Sequence, residues 1–253
     1  LPPDAPAADV QKSIEDYAVE CSIVKVWCSE MLDRAVDANV QIYGGYGYVE
    51  EYPAERSYRD ARINRIFEGT NEINRLIISG FLLRRALQGR LPLLPAIAKV
   101  MDEVMAGPTL RSEATGPLSA EHALLASAKK LGLFCSGAAS QKYPTNLQDQ
   151  QEIMGALADI LIEILVMESA ILRAEKCRQS HPIGIPLAQL TTARSFRIVS
   201  SAAERILGAV AEGDMLRTQM AIFRRLTKHE PANTVALGRT IAEHMLAAER
   251  YTL

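Results

Sequence analysis

A chain of 253 residues with 28 Lys and Arg against 30 Asp and Glu, a formal charge of −2, has no positive excess to drive nucleic-acid binding, and its basic residues form no long block. Hydrophobic residues make up 48% and aromatics only 6%, an alanine- and leucine-rich balance that suits a sizeable core of packed helices rather than a sheet. Cys21, Cys28, Cys135 and Cys177 show neither CxxC nor zinc-ligand spacing and read as reduced thiols, which excludes a disulfide scaffold.

Taken in chain order, residues 1–12 read as a disordered Pro/Ala-rich lead-in without the apolar core of a signal peptide. From Ser13 to about Val40, Tyr17, Cys21, Val24, Cys28, Met31, Leu32 and Ala35 recur at three- and four-residue steps, which predicts a helix with that stripe turned inward. Gly44, Gly45 and Gly47 stop it. A loop through Tyr52-Pro53 follows, because a residue before proline is pushed out of helical space. A short helix is expected from Glu55 to about Ile66, bearing Arg56, Arg59, Arg62 and Arg65 every third residue. Glu68-Gly69-Thr70 breaks it, and Thr70 suits the N-cap of a helix running from about Asn71 to Leu87.

Residues 90–118 carry Pro92, Pro95, Gly107, Pro108, Gly116 and Pro117 around one short helix at 96–105 and read as a linker. Beyond it the pattern predicts helices at 119–141, 146–179, 185–212 and 214–250, the last broken at Pro231. Thr145 to Gln148 has capping-box spacing. Ile153, Leu157, Ile160, Ile164, Met167 and Ile171 form a bundle seam. The most apolar run, Gly155 to Leu172, contains Asp159, Glu163 and Glu168, too many carboxylates for a transmembrane span.

Chemistry concentrates between residues 41 and 75. Three glycines allow close approach of the backbone to a ligand. Glu68 follows Ile66 and Phe67 and precedes Gly69, which leaves room for a substrate to pass. A carboxylate in a dry pocket of that kind has its pKa raised and can act as a general base. Glu-Gly-Thr alone could equally start a helix, with the carboxylate at the positive end of the dipole. No other constellation competes: His122, His181, His229 and His244 lie in four separate segments, no GxSxG occurs, and no metal ligand set is expected. Arg217, Arg224, Arg225 and Lys228 near Met220, Ile222 and Phe223 could lie on a membrane surface or form an ordinary bundle helix.

QIYGGYG at 41–47, YRDARI at 58–63 and FEGTNEINR at 67–75 resemble, in order and spacing, the C-terminal helical domain of the acyl-CoA dehydrogenases. The resemblance covers about residues 13–89. Residues 119–253 are more distantly similar to the appended helical domain of the very-long-chain branch and its bacterial relatives. The expected fold is therefore all-α: an incomplete acyl-CoA dehydrogenase C-terminal bundle followed by a second, small helical bundle.

The resemblance implies α,β-dehydrogenation of a fatty acyl-CoA, as in fatty acid β-oxidation. Glu68 would be the α-proton-abstracting base and FAD the hydride acceptor. Gln41, Gly44, Gly45, Thr70 and Glu72 match cofactor-contacting positions, the glycine turn reaching the dinucleotide of a neighbouring subunit. Phe67 and Gly69 flank the substrate, and Arg59-Asp60 matches a pair common in the family. Electron-transfer flavoprotein is the implied acceptor and a homodimer the implied assembly, without a transmembrane segment. The compartment would be a bacterial cytoplasm or, alternatively, a mitochondrial matrix. The family's N-terminal helical domain and flavin-holding β-domain have no counterpart here, so the chain reads as a C-terminal fragment, inactive alone. A relative turned to an assembly or scaffold role is the alternative.

Overall fold

The computed structural model describes residues 5–105, 116–250 and 252. Among these are ten α-helices and no strand, as the composition led us to expect. The chain divides into two compact units, Leu1–Arg90 and Leu91–Leu253.

The first unit begins with α1, Ala7–Asp16, six residues before the start predicted from the sequence. Pro6 supplies an extended entry, and alanine-rich residues with Asp9 in the first turn favour helix this early. Tyr17 interrupts the helix, and α2 then runs Ala18–Tyr43. The last carbonyls of α1, on Glu15 and Asp16, accept bonds from Arg85 at 2.8 and 2.9 Å. A 3-10 turn, Gly44–Gly47, follows α2. Next come α3, Pro53–Arg62, a second 3-10 turn, Ile63–Arg65, and α4, Asn71–Leu87. The arginine helix is therefore shorter than predicted and tightens at its end. Helices α3 and α4 both pack on α2.

The buried face of α2 differs from the predicted one. Val19, Ser22, Ile23, Val26 and Ser29 are buried, whereas Tyr17, Cys21, Val24, Cys28 and Leu32 are exposed. Apolar residues occur all round this helix, so periodicity alone could not choose the face. Packing by α3 and α4 chose the side that carries two serines, and the reason lies in the polar contacts described below.

The second unit opens with α5, Leu93–Met105. It continues with α6, Ser119–Lys142, α7, Gln151–Lys176, and α8, Gly184–Val210. It closes with α9, Gly213–Thr227, and α10, Thr234–Ala248. Helices α6, α7 and α8 pack mutually, burying Leu131, Phe134 and Cys135 against Ile160, Met167 and Ile171 and against Phe196, Val199 and Leu207. Of the predicted seam, every member is buried except Ile164, which is half-buried. Gly132 permits the close approach of α6 to α7, since a Cβ there would stand 3.2 Å from Ile160. The capping box predicted at Thr145 does not form. Leu147–Asp149 make a 3-10 turn that buries Leu147, and α7 starts only at Gln151. Asn233 caps α10, its Oδ1 accepting from the Ala236 N–H at 3.0 Å.

Candidate functional site

The link from the Ile63–Arg65 turn to α4 is a sharp corner. Glu68 has φ +54° and Gly69 φ +82°, two successive residues in the left-handed region. For a residue with a Cβ that conformation costs about 1–2 kcal/mol, so the surroundings must impose it. Upstream, the Phe67 N–H donates to the Ile63 carbonyl at 3.1 Å. Downstream, the Gly69 carbonyl accepts from Asn74 Nδ2 at 2.8 Å and from Lys25 Nζ at 2.7 Å.

Those two donors belong to a partly buried polar cluster between α2 and α4. Lys25 Nζ also donates to Asn71 Oδ1 at 2.8 Å, and Asn71 Nδ2 donates to Ser29 Oγ at 3.0 Å and to Glu30 Oε1 at 3.2 Å. Glu30 in turn pairs with Arg75 at 2.8 Å. Asn71 is 1% exposed and Asn74 6%. Buried amides of this kind are costly unless bonded, and Ser29 on the inner face of α2 is part of what makes the cluster possible.

Thr70 caps α4 as predicted, its hydroxyl oxygen accepting from the Ile73 N–H at 3.3 Å. Its proton goes to Glu72. The Glu72 carboxyl is held below its usual range chiefly by its own backbone N–H, then by the Thr70 hydroxyl, with smaller contributions from Arg75 and Arg65. An ionised Glu72 accepts from a ligand hydroxyl but repels a phosphate. Phe67, Glu68 and Gly69 are all exposed, so the dry setting expected around Glu68 is not formed among the described residues.

The glycine turn is the other candidate element. Gly44 ends α2 at φ +60°, and a Cβ built at Gly44 or Gly45 meets nothing within 4 Å. At Gly47 a Cβ would lie 2.5 Å from the Val40 carbonyl oxygen, so that position excludes any side chain. Gln41 is exposed beside the turn. Tyr52 packs against Tyr46 and Tyr43, with ring centroids 5.1 and 6.4 Å away, and steadies the loop.

Glu68, Phe67, Gly69, Thr70 and Glu72 come together at the corner, but Gln41, Gly44 and Gly45 do not join them. Lys25 holds the corner near one end of α2 and Gln41 stands near the other, with about 24 Å of helix between. Of the arginines, Arg65 pairs with Asp33 at 2.8 Å. Arg59 reaches Glu55 across one turn at 3.8 Å with its side chain 80% exposed, a surface contact. On α9, Arg217 bonds Asp214 and Arg225 donates to the Val104 carbonyl, each at 2.6 Å, the local contacts of a bundle helix. Among the described residues no helix is long and apolar enough to cross a membrane, and no group of His, Cys, Asp and Glu could hold a metal ion.

Sequence reasoning missed Lys25, Ser29, Asn71 and Asn74. The available signal was the polar pair Lys25 and Ser29, one turn apart on an apolar helix, with Asn71 and Asn74 one turn apart on the next element.

Two family models match, both described as the acyl-CoA dehydrogenase C-terminal domain, at residues 6–83 and 127–225. A probable acyl-CoA dehydrogenase of Bacillus subtilis is 41% identical over 251 residues, covering 96% of this chain and 42% of the relative. The human mitochondrial short-chain specific acyl-CoA dehydrogenase is 47% identical over 78 residues, 31% of this chain and 19% of that protein. A caffeyl-CoA reductase-Etf complex subunit of Acetobacterium woodii is 40% identical over 79 residues, 31% of this chain and 21% of its own length. Among solved structures, an acyl-CoA dehydrogenase from Bacillus anthracis complexed with FAD superposes with a TM-score of 0.92 at 44% identity, over 96% of this chain and 42% of that one. The chain thus spans less than half the length of the curated relatives it matches.

Proposed function

Because the chain belongs to the acyl-CoA dehydrogenase family, we propose that it is the C-terminal part of a flavin-dependent dehydrogenase that oxidises the α,β carbon pair of a fatty acyl-CoA. The observation that carries this reading is Glu68: an exposed carboxylate held at φ +54° on a corner pinned from both sides. Strained backbone positions cluster at functional sites, which supports a chemical role for this carboxylate. Glu68 would take the α-proton of the thioester, and the flavin, when bound, would supply the acceptor for the β-carbon hydride. Phe67 and Gly69 flank the acyl group, and substrate and cofactor together exclude water from the carboxylate.

The residues fit a dinucleotide. The open backbone at Gly44 and Gly45 admits a pyrophosphate at close range, with the Gln41 amide beside it. Glu72, held ionised, suits a hydroxyl of the same molecule. The length of α2 between turn and corner favours two copies of the chain around each flavin, the turn from one and Glu68 from the other, and hence a homodimer. Electrons would leave through an electron-transfer flavoprotein, a reading favoured by the relative that belongs to an Etf complex. The relative matched along nearly the whole chain is bacterial, which favours a bacterial cytoplasm and a role in fatty acid β-oxidation.

The test is made on the longer polypeptide that this reading implies. Purified protein should carry flavin absorbance that bleaches when long-chain acyl-CoA is added, and Glu68→Gln should retain flavin without bleaching. Equal bleaching in the variant would move the base elsewhere. Absence of flavin would favour an assembly or scaffold role.

A further inference from the structure

We propose that Lys25 is a positioning residue for Glu68: from α2, with Asn74, it fixes the Gly69 carbonyl and thereby holds the carboxylate in its left-handed, outward-facing conformation. This rests on the reading of Glu68 as the base. Both lone pairs of the Gly69 oxygen are engaged, one by Lys25 Nζ at 2.7 Å and one by Asn74 Nδ2 at 2.8 Å. The first donor is cationic, and charge-assisted bonds are the stronger kind. It comes from 44 residues away in sequence, so it ties the corner to a separate helix and not merely to its own turn.

Lys25 is itself oriented. Asn71 Oδ1 accepts its second bond at 2.8 Å, and Asn71 is fixed by Ser29 and Glu30. With the Phe67 N–H bonded to Ile63 upstream, only the torsions between those two anchored peptides remain to set where Glu68 stands. Without Lys25, Asn74 still binds the carbonyl, but Asn74 lies on α4 and moves with the corner. Lys25 references the Gly69 carbonyl, the peptide next to Glu68, directly to α2.

The experiment uses the flavin-loaded full-length enzyme with Lys25→Met, which keeps the aliphatic stem, and with Lys25→Cys before and after aminoethylation with bromoethylamine. Aminoethylated wild type controls for the other cysteines. We expect the rate of flavin bleaching by acyl-CoA to fall roughly 10- to 100-fold in Lys25→Met, the scale of a misplacement near 1 Å, with KM changed by less than about two-fold. Aminoethylation of Lys25→Cys should restore most of the rate. Independently of activity, amide exchange at Phe67, Ile73 and Asn74 should accelerate about ten-fold or more while the rest of α4 keeps its protection. Asn74→Ala provides a second, milder loosening of the same carbonyl should Lys25→Met fail to fold.

An unchanged rate per bound flavin, or a loss of flavin and thermal stability with the rate per flavin intact, would overturn the proposal and leave Lys25 merely structural. Failure of the underlying reading looks different: Glu68→Gln would bleach like wild type, and Lys25 would then have no base to position.

Discussion

The strain at Glu68 can be measured by comparing glycine with alanine at that position. Both substitutions remove the carboxylate, so contacts of the side chain cancel and the backbone remains. Alanine keeps the left-handed penalty of about 1–2 kcal/mol. Glycine escapes it but gains about 0.5–1 kcal/mol of freedom in the unfolded chain, leaving glycine ahead by about 0.75 kcal/mol at the middle of both ranges and by at most about 1.5 kcal/mol. At Ala35, an exposed position inside α2, Ala→Gly should instead cost about 1 kcal/mol. The sign therefore reverses between the two sites. Urea denaturation followed by far-ultraviolet circular dichroism reads both pairs on one chain. Glu68→Ala as stable as Glu68→Gly, or more so, would refute the claim that the corner is imposed on Glu68 by its surroundings.

At Gly47 a Cβ would stand 2.5 Å from the Val40 carbonyl oxygen and 2.9 Å from Tyr43 Cβ; Gly47→Ala should cost about 1–3 kcal/mol and weaken flavin retention, checked by melting and by flavin titration. Glu121 at the start of α6 has its carboxyl raised above the usual 4.5, chiefly by burial. The stability it contributes is fully present below that pH and is lost as pH rises through the raised value, so Glu121→Gln should flatten the pH profile of stability over that range and be the more stable form at neutral pH. The Cys135 thiol, pushed up to about 12 by burial, should resist iodoacetamide in the native 253-residue chain, whereas exposed Cys21 and Cys28 react; mass spectrometry of the labelled peptides decides it.

Element type was legible wherever local chemistry decides it. Thr70 announced the start of α4, Gly44 the end of α2, and the Ile153 to Ile171 seam the buried side of α7, because capping, positive φ and a long one-sided stripe are properties of short stretches. What stayed hidden depends on partners distant in sequence. The stripe from Tyr17 to Leu32 is as apolar as the face that is buried, and only α3 and α4 decide between them. Thr145 has the right spacing for a capping box, yet burying Leu147 turns the segment into a 3-10 turn. At the candidate site, Glu68 and the glycines could be named from their motif, while Lys25 could not. A lysine inside a helix reads as a solvated charge until the corner folds onto it.

Seen from α2, the two motifs acquire separate tasks. One end of this helix terminates in a glycine turn where a Cβ at Gly44 or Gly45 would meet nothing within 4 Å; the other half carries Lys25 and Ser29, which anchor the corner. A helix is stiff over this length, so the distance between the two is fixed to within its small bending. Lys25 and Gln41 stand about 24 Å apart along this rod. On the proposed reading, two chains around each flavin would let the turn of one meet the corner of the other. The same rigidity explains why the corner is tied to α2 and not only to α4. If Glu68 must meet a cofactor held partly by another copy, its position has to be referenced to the element that also carries the turn, and the Lys25 bond to Gly69 is the contact that does so at the peptide next to Glu68.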